Sequence, residues 1–126
     1  AIVNYHPIQI VTSYGSAAGS AAACVAEKDS QNWPDFHSAL FANHSQTSDG
    51  WSAKDFASFA SSLGITDQDT VKCITDARYA DWIATNTVAS RDAGVSGTPT
   101  VFIDGKAQAT LPGPDELNAA VAAAKG

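Results

Sequence analysis

Val95-Ser96-Gly97-Thr98-Pro99-Thr100-Val101-Phe102-Ile103-Asp104-Gly105 is the stretch that decides how this 126-residue chain folds. From Thr98 to Ile103 it is β-branched and aromatic. It ends in Asp-Gly, a pair suited to a two-residue type I′ turn because both central positions of that turn need positive φ. The pattern predicts a strand, a tight turn at Asp104-Gly105 and a return through Lys106 to Leu111. Taken alone, it fits an ordinary turn before a strand, with Pro99 as the first strand residue, where a missing N–H costs little.

Beyond the hairpin, Pro112-Gly113-Pro114 punctuates the chain. Leu117, Ala120, Val121 and Ala124 then mark a terminal helix, with Pro114 in its first turn and Asp115 and Glu116 at its positive end. Before the hairpin the sequence is helical. Ser52 at an N-cap, Phe56, Phe59, Ala60 and Leu63 at i, i+3, i+4 and i+7, and Gly64 as the stop define one helix. Thr66 and Asp69 stand in capping-box spacing before a helix that holds Cys73, and the stripe of Tyr79, Trp82 and Ile83 runs on toward Gly94, with a break expected near Asp76. Asn32 is placed to cap a helix carrying Trp33, Phe36, Leu40 and Phe41 and fading at Asn43. Ser20 to Lys28 reads as an alanine-rich helix, and the small, polar residues from Tyr14 to Gly19 read as a turn. Ile2-Val3-Asn4-Tyr5 opens the chain as a strand running into a loop at Pro7.

The composition limits the function classes. Forty-four per cent hydrophobic and 16% charged residues suit a folded domain. A net charge of −6 disfavours capture of nucleic acid or anionic lipid. The apolar runs at 21–26 and 119–124 are far short of the roughly 20 residues a membrane-spanning helix needs, so direct membrane insertion of this chain is not expected.

Four landmarks stand in a specific order. They are Ala22-Ala23-Cys24-Val25-Ala26; Trp33 with Phe36-His37 and Leu40-Phe41-Ala42-Asn43; Cys73 with Arg78-Tyr79 and Trp82; and the Gly97-Thr98-Pro99-Thr100 loop. The loop resembles the cis-proline loop of thioredoxin-fold proteins. With the helical middle added, nearly the whole chain resembles the DsbA-like thiol-disulfide oxidoreductases of the actinobacterial type. The resemblance implies an α/β, thioredoxin-like fold with an inserted helical domain. Residues 1–12 would supply a thioredoxin-fold strand, 13–94 the inserted helices and a connecting long helix, and 95–126 the hairpin with the cis-Pro loop and the C-terminal helix. It also implies that Thr98 and Pro99 bind substrate, with the Thr98–Pro99 bond cis and facing a redox disulfide.

One departure is central. The family carries its chemistry on a Cys-x-x-Cys at the start of the first thioredoxin helix, and no such pair occurs here. The N-terminal strands and first helix of the family pattern are missing from this sequence. Without the central strand, Ile2–Tyr5 and Thr100–Ile103 would flank an empty lane of unpaired backbone. The expectation is therefore a C-terminal part of a longer protein, or a gap filled by a complementing N-terminal segment or a swapped chain. No catalytic residue is assigned within these 126 residues, and enzymatic activity belongs to the parent protein.

Cys24 and Cys73 allow three states: a structural disulfide, two buried free thiols, or a redox pair. An even count at long range favours the first, which implies an oxidising compartment. Closing a loop of about 50 residues would contribute on the order of 4 kcal/mol. Both cysteines lie inside predicted helices beside apolar residues, whereas a reactive thiolate needs a helix N-terminus or a cationic neighbour. His6, His37 and His44 share no metal-ligand spacing, and no metal or cofactor is expected. They read as a strand-end ring, a helix-packing ring and a helix C-terminal neighbour. Gly15-Ser16-Ala17-Ala18-Gly19 is neither a nucleophile elbow nor a phosphate loop. The aromatic residues Trp33, Phe36, Phe41, Phe56, Phe59, Tyr79 and Trp82 read as core, with some of them able to line a peptide groove beside the Gly97-Thr98-Pro99-Thr100 loop.

The expected function is an extracytoplasmic oxidoreductase that forms or exchanges disulfides in exported proteins. Its partners would be unfolded or reduced exported polypeptides and a membrane redox partner for regeneration. The expected location is secreted, in the cell envelope, or membrane-anchored through the missing segment. The alternative is a redox-inactive thioredoxin-fold module that binds extended peptides.

Overall fold

The computed structural model describes residues 1–45 and 47–125; Gly126, the end of the third expected region, lies outside them. The element order is α1 (Tyr14–Lys28), α2 (Trp33–Asn43), α3 (Ala53–Ser62), α4 (Gln68–Thr75), α5 (Ala80–Asp92), β1 (Phe102–Ile103), β2 (Lys106–Ala107) and α6 (Pro114–Lys125). Helix α1 is central and packs against α2, α3, α4 and α5, while α6 packs on β1. No helix among the described residues is long and apolar enough to cross a membrane.

The core follows from the apolar stripes. Phe36 and Leu40 from α2, Phe56, Ala57 and Ala60 from α3, and Cys73 and Ile74 from α4 close on Ala18, Ala21, Ala22, Cys24 and Val25 of α1. The Tyr14 ring meets Phe56 edge-on at 5.1 Å, and its hydroxyl donates to the Leu40 carbonyl at 2.7 Å. Burial raises the pKa of that phenol. Phe41 and Trp82 depart from the core reading: they are 73% and 42% exposed.

Local chemistry sets the helix ends. Ser52 and Asp55 form a reciprocal capping box, as the spacing predicts. Helix α4 is capped one residue later than expected, by Asp67, whose carboxylate accepts from the Thr70 amide at 2.9 Å. Asn32 precedes α2, but its side chain donates to Asp29 Oδ2 at 2.7 Å instead of capping the helix. The break after α4 falls at Asp76–Tyr79, where Ala77 takes φ 48°.

Two expectations are corrected. The stretch 14–19 is the first part of α1 rather than a turn. Gly15 and Gly19 are there because chain segment 7–9 and Ile83 lie where their side chains would be. Ile2–Tyr5 forms no strand, because a strand requires a pairing partner and none lies alongside. The sheet is a single antiparallel hairpin pairing Phe102 with Ala107 and Ile103 with Lys106, shorter than the Thr98–Leu111 pattern predicted. Its turn is the expected one, with Asp104 at φ 49° and Gly105 at φ 75°.

Candidate functional site

The Gly-Thr-Pro-Thr loop begins where α5 stops. Gly94 adopts φ 87°, its amide bonds to the Arg91 carbonyl, and the Val95 amide reaches back to Ser90 at 2.9 Å. These bonds satisfy the last helical carbonyls and turn the chain sharply out of α5. The Thr98–Pro99 peptide bond is cis. Thr100 Oγ1 donates to the Gly97 carbonyl at 2.6 Å, folding the loop on itself. The chain then enters β1 through Val101, whose carbonyl accepts from the Gln108 amide at 2.9 Å.

Thr98 and Pro99 are both exposed. Among the described residues, no backbone hydrogen bond engages the N–H or carbonyl of Thr98. These groups, together with the edge of β1 that faces away from β2, form a short row of free donors and acceptors. Such a row can take an extended segment by main-chain pairing. The loop holds no cysteine and no ionisable side chain.

Cys24 and Cys73 are joined by a disulfide, Sγ to Sγ 2.10 Å, linking α1 to α4. Both are buried, at 0% and 4% exposure, so an incoming thiolate has no path to either sulfur. The bond joins α1 to α4, whereas the Thr98–Pro99 loop follows α5.

The histidines have separate settings. His37 stacks on Trp33 at 4.5 Å and meets Tyr5 and Phe41 edge-on at 5.2 and 5.1 Å. Burial among these rings lowers its pKa. His44 caps the C-terminus of α2 and places Nε2 2.8 Å from Asp49 Oδ1. His6 is exposed. Among the described residues, no three His, Cys, Asp or Glu side chains gather closely enough to hold a metal ion.

A shallow groove of about 490 Å³ lies between α1 and the start of α5, lined by Ala23, Ala26, Glu27, Tyr79 and Trp82. The Tyr79 hydroxyl donates to the Glu27 carboxylate. That bond lowers the Glu27 pKa and raises that of Tyr79. Lys28 Nζ and Arg78 Nη1 stand 3.4 and 3.9 Å from the same carboxylate. The only charged lining group is thus already partnered, and the groove offers no chemistry. A feature missed in the sequence is the crevice between α1 and α5 that seats residues 7–9; its signal is the Gly15-x-x-x-Gly19 spacing, within a stretch whose composition reads as a turn.

Compared with curated proteins and with solved structures, the chain finds no significant match. A family model described as Thioredoxin matches residues 3–123. That match takes in most of the opening segment, helices α1 to α5, the Gly-Thr-Pro-Thr loop and the hairpin, and so the chain belongs to the Thioredoxin family.

Proposed function

We propose that this chain is part of an extracytoplasmic thiol-disulfide oxidoreductase of the DsbA type, with residues 13–94 as helices inserted in a thioredoxin fold. The observation that carries the reading is the exposed Thr98–Pro99 loop, with the Thr98 backbone free beside an open β1 edge, in a chain of the Thioredoxin family. In this reading an extended substrate segment pairs with Thr98. A dithiol-bearing segment, from outside these residues or from a second chain, fills the lane between Ile2–Tyr5 and β1. The exposed Ile2, Val3 and Phe102 side chains supply apolar surface for it.

A substrate thiolate attacks the disulfide of the supplied Cys-x-x-Cys and a mixed disulfide forms; the second substrate thiolate then resolves it. The substrate gains a disulfide, and the enzyme pair is left as two thiols that a membrane redox partner reoxidises. A competing reading rests on a specific observation: both cysteines of this chain are used in the Cys24–Cys73 bond. The chain would then be a redox-inactive module holding exported peptides in extended form.

Reading the coding frame upstream of residue 1 and assaying insulin reduction by the extended protein separates the two. A Cys-x-x-Cys and turnover lost in its Cys→Ser variant support the oxidoreductase. Other residues at those places, with peptide binding that depends on Thr98, support the module.

A further inference from the structure

Residues 5–9 cross three helices and are held at each crossing. On α2, the Tyr5 ring lies edge-on to Trp33 at 4.9 Å and to His37 at 5.2 Å. On α1, the chain passes over two glycines. A Cβ on Gly19 would fall 3.2 Å from Pro7 Cβ and 2.9 Å from Ile83 Cδ1, and a Cβ on Gly15 would fall 3.3 Å from the Ile8 carbonyl oxygen. The absent side chains are what let the segment lie this close. On α5, Thr87 Oγ1 accepts from the Gln9 amide at 2.9 Å, and Asn86 Nδ2 donates to the Pro7 carbonyl at 3.4 Å. The Thr87 hydroxyl proton goes to the Ile83 carbonyl at 2.7 Å, which fixes its lone pairs toward Gln9. Thr87 and Gly19 are themselves buried.

These contacts differ in kind: edge-on ring contact, close backbone approach, and a buried hydroxyl acceptor. All act on five consecutive residues that have no secondary structure of their own. We propose that residues 5–9 are a strap that fixes the Ile2–Tyr5 segment at one angle to the helical layer, with Gly19 and Thr87 as its positioning residues. The strap gives the adjoining segment a defined place before any strand pairs with it, which lowers the ordering cost of that pairing. This consequence rests on the pairing proposed above; the strap itself does not.

Amide hydrogen exchange and ring-proton shifts of Tyr5 test the strap on the chain as it stands. Thr87→Val keeps the volume and removes the acceptor, whereas Thr87→Ser restores it. In Thr87→Val the Gln9 amide is expected to exchange about tenfold faster, the effect of losing one buried hydrogen bond, while the Ile83 amide is unchanged. The Tyr5 shifts should move toward free values in the same variant, and Thr87→Ser should match the parent. Gly19→Ala, with Thr87 intact, should release Gln9 and Tyr5 together. An unprotected Gln9 amide in the parent overturns the strap. So does Gln9 exchange that is unchanged in Thr87→Val, or that rises only in step with Ile83. A strap that passes these tests in a protein whose upstream segment carries no strand leaves the pairing refuted and the strap standing; the reverse result separates them the other way.

Discussion

Phe56 and Phe102 are the same side chain in two environments, one fully buried and the other 47% exposed. The difference extends to the regions around them. Every buried residue among those described lies between Tyr14 and Thr87, and none lies in 1–13 or 88–125. The outer regions are not polar: Ile2, Val3, Val11, Leu111 and Leu117 are all exposed there. A helix satisfies its own backbone and needs only one apolar face covered, which α1 provides for its four neighbours. A strand satisfies its backbone only through a partner, so Ile2–Tyr5 forms no strand and β1 pairs on one side alone, despite β-favouring sequence.

The comparison breaks if the two regions prove equally tight. Phe56→Ala should cost about 3–5 kcal/mol by transfer and cavity terms. Phe102→Ala should cost under about 1 kcal/mol, because it removes less buried area. Urea denaturation followed by tryptophan fluorescence measures both, and similar costs would show that the hairpin is packed against something in solution. Removal of the α1–α4 staple comes next. Cys24→Ala with Cys73→Ala frees a loop spanning 49 positions and should lower stability by on the order of 4 kcal/mol. Hydrogen exchange should rise across Tyr14–Thr87, with little change in the hairpin amides.

The same division explains what the sequence could say. Helix α3 was legible from Ser52 to Gly64 because capping box, stripe and stop are all local signals. The Asp104-Gly105 turn was legible for the same reason. The start of α1 was not: Gly15 and Gly19 look like turn residues until residues 7–9 are seen lying across them. The Ile2–Tyr5 strand was misread because β-propensity describes a fit to neighbours and says nothing of whether they are present. At the candidate site, the Gly-Thr-Pro-Thr stretch drew attention to Thr98 and Pro99, whereas the free Thr98 backbone became visible only once the surrounding hydrogen bonds were placed.

Acid should loosen the helical region in two steps. Burial lowers the His37 pKa, so the stability this ring contributes is complete above the ordinary value of 6.5 and declines as pH falls below it toward the folded value. Asp55 is held low by the Ser52 side chain, and Asp67 by the Thr70 amide. Their contribution is complete above the ordinary value of 3.8 and is lost as pH falls through their lower folded values. Thermal melts from pH 8 to pH 2 should therefore show two declines. His37→Gln should remove the upper one, and Ser52→Ala should weaken the lower one. A single decline that His37→Gln leaves untouched would mean that the ring is as hydrated in the folded chain as in the unfolded one.

The smallest effect sharpens the comparison within the helical region itself. Helices α3, α4 and α5 end in the same motif: the C″ amide returns to the C3 carbonyl, as Ile65 to Ala60, Arg78 to Cys73 and Val95 to Ser90. The C′ residue takes positive φ in all three, but it is Gly64 and Gly94 in two and Ala77 in the third. Alanine pays roughly 1–2 kcal/mol for that conformation. Glycine avoids this but costs about 0.5–1 kcal/mol more in unfolded-chain entropy. Ala77→Gly should then stabilise the chain by about 0.5–1 kcal/mol, raising the urea midpoint without changing the slope. A loss of stability would mean that the Ala77 methyl makes packing contacts between α4 and α5 that outweigh its backbone cost, and the third helix end would then differ from the other two by design of its side chain rather than by tolerance of its backbone.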